Sequence, residues 1–561
     1  MLPLPGKEHV DTPAMPRGDG AGFRRYLTRD MPAGFLVFLI ALPLCLGIAV
    51  ASGFPPIAGV FTAIVGGFVA ALISDSELTI KGPAAGLIVI VLGAMQAFGY
   101  TGGEDASADL QAYRMTLAVG CVAGGVQMLF GCFRAGVLGD FFPTAVVHGM
   151  LAAIGGIIML KQLPVAVGQK AVGDPLEILA HLPGTLSRAN PAVSLVGMVS
   201  LVILFAWPYL GRRVATGVTR RLPAQLVVLL VAVPLAHWLG LSHGGDSSVL
   251  GVSYATNPSY FVSVPRRLAA AVTTPEFAVF SNPGSRSIAV FWVAMFAIVG
   301  SLESLLSAKA IDMVDPWKRK TTLDRDLFAV GVANVAAASV GGLPMISEIV
   351  RSKANIDNGG CTRFADLWHS VFLLGFVAIA PGLISSIPLA ALAAMLVYTG
   401  CRLASPNEFV SVYRIGREQL LIFASTLVGV LATDLLVGVL IGVTVKFVVH
   451  LFNGLPPSTM FKPFLEVVEL DEGTVRVDAR GSAVFSNWIP FRRQLRQIAF
   501  DRGVDVVVNL EGTRLVDHSA MEGLRQLENE FAQQGRTLTV VGLESHRPLS
   551  SHPMATRKRR G

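Results

Sequence analysis

The chain has 561 residues, of which 52% are hydrophobic and only 15% charged. Soluble domains usually carry about 25% charged residues, so composition excludes a wholly soluble protein. The net charge of +7 would suggest an acidic partner in a soluble chain; here most Lys and Arg residues fall in loops between apolar runs, and five cysteines without a CxxC pair indicate neither a metal cluster nor a disulfide framework.

Residues 1–30 are polar, lack the apolar core of a signal peptide, and place Arg17, Arg24, Arg25 and Arg29 just ahead of the first apolar run. From Gly34 to about Phe452, apolar stretches of roughly 17–25 residues recur, the length of a membrane helix. About fourteen spans are expected: 33–52, 55–74, 82–99, 112–131, 138–160, 192–210, 222–240, 287–308, 323–340, 344–357, 367–386, 388–404, 417–432 and 434–452. Charge bias orients them. The loop after span six holds Arg212, Arg213, Arg220 and Arg221, and the loop after span eight holds Lys309, Lys318, Arg319 and Lys320. The odd loop 99–111 has neither Lys nor Arg, while 161–191 carries Lys161, Lys170 and Arg188 and fits less well. On balance both termini are expected in the cytoplasm.

Fourteen spans divide into seven and seven, and the third span of each half opens on a breaker. Span three follows Lys81-Gly82-Pro83-Ala84-Ala85-Gly86; span ten follows Gly341-Gly342-Leu343-Pro344-Met345-Ile346-Ser347-Glu348. Proline suits a first helical turn, and glycine lets the backbone break before it. A helix that starts inside the membrane directs free N–H groups and partial positive charge at what lies ahead. Two such starts in corresponding halves point to an anion or substrate site near the bilayer midplane, and hence to a secondary transporter with an inverted repeat. The alternative use of these glycines and prolines is tight packing of spans. Lys81 either adds positive potential beside that site or snorkels to an aqueous vestibule.

Glu303 falls inside span eight, where a carboxylate is costly without a role or a partner. Ser307 is one helical turn further on, on the same face. A carboxylate with a hydroxyl is half of a sodium site, since hard cations take oxygen ligands; the alternative is a glutamate satisfied by neighbouring backbone. His148, Lys161 and Gln162 in span five and Asn334 in span nine read as structural polar groups, Asn334 through an interhelical hydrogen bond. Asp434, at the start of span fourteen, reads as interfacial.

Beyond Phe461 the pattern changes. VRVDARGSAVF alternates like a strand, IPFRRQLRQIAFDRG is an amphipathic helix with a glycine stop, VDVVVNLEGTRLVD is a buried-type strand and turn, HSAMEGLRQLENEFAQQG is a second helix and RTLTVVGLE another strand. A small α/β domain over 461–556 is expected, followed by a solvated basic tail at 557–561.

The first span LPLCLGIAVASGFPPIAGVFTAIVGG, GPAAGL, Ser301-Leu302-Glu303-Ser304-Leu305-Leu306-Ser307 and the stretch Gly341–Arg363, taken in order, resemble the sulfate permease (SulP) family, anion transporters that include prestin and pendrin in animals. The C-terminal domain resembles the STAS domains. The resemblance implies an all-α polytopic membrane domain over 31–455 with seven-plus-seven inverted repeats, a core domain moving against a gate domain, and a homodimer. It implies an anion held between the starts of spans three and ten, at Gly82, Pro83, Ala84, Ala85, Gly86, Pro344, Met345, Ile346, Ser347, Glu348 and Arg351. Sodium-coupled bicarbonate transporters of the family carry an acid and a hydroxyl at the places of Glu303 and Ser307; glutamate here, where they have aspartate, keeps a proton in play beside sodium. Many members have a small or hydroxyl residue at the place of Glu348. A negative charge about 4 Å from an anion costs several kcal/mol in a partly buried site, so Glu348 is either protonated when the anion binds or paired with Arg351 at i+3. The STAS motif has a phosphorylated serine where this chain has His518, within Asp517-His518-Ser519-Ala520, and helix capping is the reading preferred for this run.

The expected function is secondary transport of a small inorganic anion, sulfate or bicarbonate, by alternating access, with proton or sodium symport, in the inner membrane of a bacterium, with no nucleic-acid partner. The alternatives are a nucleobase–proton symporter of the same fold, using Glu303 and Glu348, and a non-transporting sensor acting through the STAS domain. Without a Walker loop, metal cluster or nucleophile motif, an enzyme is not expected, nor a cofactor beyond a sodium ion.

Overall fold

A computed structural model describes residues 15–140, 142–171, 173–213, 223–243, 245–249, 252–265, 268–433, 435–471 and 473–560; Asp434 lies outside them. The membrane part begins with α1 (Gly20–Ala51), α2 (Pro56–Ile73), strand β1 (Ile80–Pro83), α3 (Ile88–Ala97, entered through a 3₁₀ turn at Ala85–Leu87) and α4 (Ala106–Cys132). There follow α5 (Thr144–Ala166), α6 (Pro175–Ser187), α7 (Pro191–Arg213), α8 (Ala224–Trp238), and the hairpin β2 (Gly245–Val249) and β3 (Val252–Thr256). Next come α9 (Pro283–Val314), α10 (Leu323–Ser339), β4 (Met345–Glu348), α11 (Ile349–Asp357), α12 (Phe364–Ile379), α13 (Pro381–Ser385), α14 (Leu389–Leu403), α15 (Pro406–Ile415), α16 (Arg417–Ala432) and α17 (Leu435–Phe452).

Every expected span coincides with a helix, although eleventh span 367–386 is broken at Pro381, where the ring ends α12 and starts α13. Among the described residues eight helices are long and apolar enough to cross a membrane, and Ala85–Ala97, Ala224–Trp238 and Phe364–Ile379 are shorter apolar ones. Side-chain caps set several starts: Asp19 Oδ1 accepts the Gly22 N–H at 2.6 Å, and Asp105 Oδ1 accepts that of Ser107 at 2.8 Å. Glycines set helix spacing, as where a Cβ on Gly124 of α4 would lie 2.9 Å from the Gly331 carbonyl of α10.

The chain divides into two units. One comprises 1–134, 206–244 and 257–392; the other comprises 135–205, 245–256 and 393–561. The first contains β1, α3, β4 and α11, and so both breakers.

In the second unit, α18 (Pro457–Phe461) leads into β5 (Phe464–Asp471), β6 (Thr474–Ala483), α19 (Phe485–Arg502), β7 (Asp505–Asn509), β8 (Thr513–Val516), α20 (His518–Gln533), β9 (Leu538–Val541), β10 (His546–Pro548) and β11 (Arg557–Arg559). The sheet order is β10-β11-β8-β6-β7-β9, with β5 antiparallel to β6. β6, β7, β8 and β9 are mutually parallel. Val475, Val477, Val506 and Val508 pack beneath Trp488, Phe491, Leu524 and Phe531 of the two helices, the α/β STAS architecture. The basic tail is more ordered than a solvated end. Its backbone is strand β11, bonded to β8 and β10, while Lys558 and Arg559 stay exposed. A run of like charges gives no alternation from which to read a strand.

Candidate functional site

The two breakers meet. β1 and β4 pair antiparallel in the register Ile80–Glu348, Lys81–Ser347, Gly82–Ile346 and Pro83–Met345. Antiparallel pairing sends the chain toward α3 from one end of this ladder and toward α11 from the other, so both positive helix starts face it, the ends of the ladder standing roughly 10 Å apart at about 3.4 Å per step. Gly341 permits the approach of β4, turning the chain at φ 95° with its carbonyl accepting from Tyr113 Oη at 2.6 Å.

Polar side chains from three helices hold the ladder, and one from a fourth fixes the turn beyond it. The Asn334 amide of α10 clasps Met345, accepting its N–H at 2.6 Å and donating to its carbonyl at 3.1 Å; the same NH₂ donates to Gln127 at 2.7 Å. The interhelical role expected for Asn334 is thus joined by a grip on β4. Asp366 of α12 accepts the Lys81 N–H at 3.1 Å. Ser304 of α9 accepts the Ser347 N–H at 3.1 Å. Asp30 of α1 accepts from the N–H groups of Cys361 and Thr362 and fixes the turn after α11.

Lys81 is fully buried. Its Nζ donates to Asp326 Oδ1 at 2.6 Å, Thr79 Oγ1 at 2.6 Å and Ser347 Oγ at 2.7 Å. Asp326 also accepts from Ser74 and Ser347. Neither sequence reading of Lys81 survives: it does not snorkel, and Asp326 cancels the charge it would lend to an anion. Asp326, Asp366 and Gln127 escaped sequence reasoning, since both aspartates stand in the first turn of their helices, where an acid is an ordinary helix-start residue.

Arg351 is also fully buried. Nη2 donates to the Pro83 carbonyl at 3.2 Å, and the guanidinium lies over Gly82, where a Cβ would overlap Nη1. Nε and Nη1 have no hydrogen-bond partner, although the Cys45 thiol is close enough to interact. The alternative pairing with Glu348 does not form. Arg351 is drawn across to β1, and Glu348, extended at the N-cap of α11, turns Oε2 onto the Val350 N–H at 3.2 Å. Burying two guanidinium donors without an acceptor is rare, and with the two helix starts they direct donors at the ladder.

Glu303 is buried with Oε1 unpartnered, and its carboxylate presses on Gly86 at the start of the 3₁₀ turn into α3. Ser307, one turn on, is also buried. Ser304, not Ser307, is the α9 hydroxyl that bonds β4. Ala84 and Ala85 line the buried turn, and Pro344 and Met345, with Leu87, Gln127, Phe296 and Asn334, line a crevice. It admits about one water and is too narrow for an oxyanion. His148 pairs with Glu408 at 3.1 Å, both part-exposed, and Gln162 is buried.

Two broken helices whose starts meet on one short ladder, within a bundle of apolar helices, are the arrangement of a membrane transporter. The profile of the sulfate permease family matches residues 27–426, and the chain belongs to that family. It is 26% identical over 531 residues to the putative sulfate transporter YvdB of Bacillus subtilis, covering 92% of each chain. It is 24% identical over 422 residues to the bicarbonate transporter BicA of Picosynechococcus, covering 75% of this chain and 69% of that one. In fold it is similar to the transmembrane domain of a cyanobacterial BicA (TM-score 0.60, 23% identity, 75% and 98% of the two chains) and to SLC26A9 (TM-score 0.67, 14% identity, 93% and 85%).

Proposed function

We propose that the protein moves a small inorganic anion, sulfate or bicarbonate, across the bacterial inner membrane by alternating access, with both termini cytoplasmic and as a homodimer. The observation that carries this reading is the convergence of two helix starts and the unpartnered donors of Arg351 on β1 and β4. Backbone amides and dipoles hold an anion with little fixed counter-charge, which suits rapid release. Names of relatives, sulfate transporter and bicarbonate transporter, support both substrates equally. Family membership favours either over a nucleobase.

Coupling is assigned to Glu303 and Glu348, one carboxylate at each helix start. An anion entering between two carboxylates is repelled unless they are neutralised, so entry is accompanied by protons. Sodium at Glu303 and Ser307 would need several further oxygens, and the orphan Oε1 of Glu303 supports the smaller cation. Proteoliposomes loaded under imposed proton and sodium gradients in turn test this. Labelled sulfate or bicarbonate should accumulate with the proton gradient, and Glu348→Gln should flatten the pH dependence of uptake. Accumulation driven by sodium alone overturns the proton assignment; no uptake of either anion overturns the substrate class.

A further inference from the structure

A second basic site lies far along the chain from the ladder, where α15 and α16 meet the C-terminal segment. Tyr413, Arg414, Arg417, Leu549, Ser551 and His552 line an open cleft of about 710 Å³. Both arginines are exposed, and among the described residues no acid lines the cleft. Glu418, next to Arg417 in the chain, has its carboxylate folded back onto Gly416 at the start of α16. Ser550 Oγ donates to the Ile415 carbonyl at 2.6 Å and accepts the His552 N–H at 3.1 Å, so the segment is fixed to the helix end. The Met554 N–H donates to His552 Nδ1 at 3.2 Å. An imidazole that accepts at Nδ1 carries its proton on Nε2, which makes His552 a donor as well. Two guanidinium groups, an imidazole N–H and the Ser551 hydroxyl form a donor set suited to a phosphate.

The position of α15 decides the source of that phosphate. This helix follows α14 directly and precedes α16, so it lies where the chain turns between two membrane helices. It is amphipathic: Val412 is buried while Phe409, Val410 and Tyr413 are exposed large apolar groups on the same short helix as Arg414. A helix with exposed aromatic and aliphatic side chains beside arginines is the form that lies in a bilayer interface. Gln419 in the first turn of α16 contacts Thr556 at 3.4 Å, so the basic strand Arg557–Arg559 begins beside the same corner. A soluble phosphate needs the donors but not the apolar ledge; a lipid uses both.

We propose that this cleft binds the phosphate of an anionic membrane lipid, with the acyl chains against the exposed face of α15. The full-length protein in nanodiscs of mixed phosphatidylglycerol and phosphatidylcholine, examined by native mass spectrometry, tests it. Wild type should retain phosphatidylglycerol over phosphatidylcholine by roughly tenfold, from two arginines at a charged surface. R414Q/R417Q should lose that preference, and R414K/R417K should keep most of it, which separates lost charge from lost folding. Millimolar glycerol phosphate should not displace the lipid. Equal retention of both lipids, an unchanged preference in the glutamine variant, or displacement by glycerol phosphate each overturns the proposal. Transport is not part of the readout, so the outcome is independent of the substrate.

Discussion

Gly86 has no room for a side chain, because the Glu303 carboxylate occupies the space where a Cβ would stand. The glycine that breaks the helix in sequence terms therefore also brings an acid onto the start of that helix. Gly86→Ala must push the carboxylate away, at a cost of about 1–3 kcal/mol typical of overpacking. The carboxylate is the movable partner, so coupling should fail before folding does. Uptake driven by a proton gradient is expected to fall about tenfold, which is the weight of about 1.4 kcal/mol, while yield and melting temperature stay near wild type. Unaltered proton-driven uptake would show that the placement of Glu303 does not matter. Sequence alone exposed the oddity of Glu303 but not its contact, since Gly86 is more than two hundred residues away.

At the scale of elements, the ladder depends on a neutral pair. Lys81 and Asp326 join β1 to α10, and Ser347 links both to β4. Removing one partner of a buried pair leaves an unpaired charge and typically costs 3–5 kcal/mol, roughly, whereas replacing both can be nearly neutral. Lys81→Met and Asp326→Asn should each lower thermal stability sharply, and the double variant should recover most of it. The two single variants should also move the KM for the anion in opposite directions: up where Asp326 remains charged, down where Lys81 does. Shifts of the same sign would reduce the pair to a structural brace. The helices were legible because apolar runs of membrane length need no partner to be recognised, and the breakers were legible through Gly82, Pro83, Gly341 and Pro344. The strands were not. Four extended residues have too short a pattern, and the burial of Lys81 depends on an aspartate that sits in the first turn of α10, where it reads as an ordinary helix-end charge.

At the scale of the whole molecule, a carboxylate of the STAS domain reaches into the last membrane helix. Asp517 caps α20 by accepting the Ala520 N–H at 2.8 Å, and its Oδ2 accepts from Phe485 N at 3.1 Å. The same oxygen lies 3.2 Å from Lys446 Nζ and 3.4 Å from His450 Nε2 of α17, with Lys446 also over the Phe485 ring at 5.8 Å. The capping role expected for the Asp517–Ala520 run is therefore present, and an attachment to the membrane helix is added to it. Ser519 Oγ is inaccessible, which leaves little for a kinase to reach. Burial by itself would push the Asp517 carboxyl up, but the Lys446 ammonium and the His450 imidazole outweigh it and hold it well below the usual carboxylate range. A carboxyl depressed by folding contributes its full stabilisation above its unfolded value, about 3.9, and loses it as pH falls from there through the folded value. At neutral pH Asp517→Asn should thus cost roughly 3–5 kcal/mol, seen as early release of the STAS domain to limited proteolysis in the linker after α17. Below about pH 4 the wild type should weaken toward the variant, because the unfolded chain's carboxyl takes up a proton that the folded one still resists. Lys446→Met should reproduce the neutral-pH loss, because it removes the cation from the same contact. If neither variant changes proteolysis at pH 7, the attachment is held by the apolar cluster of Leu455, Met460, Val484 and Leu515 instead.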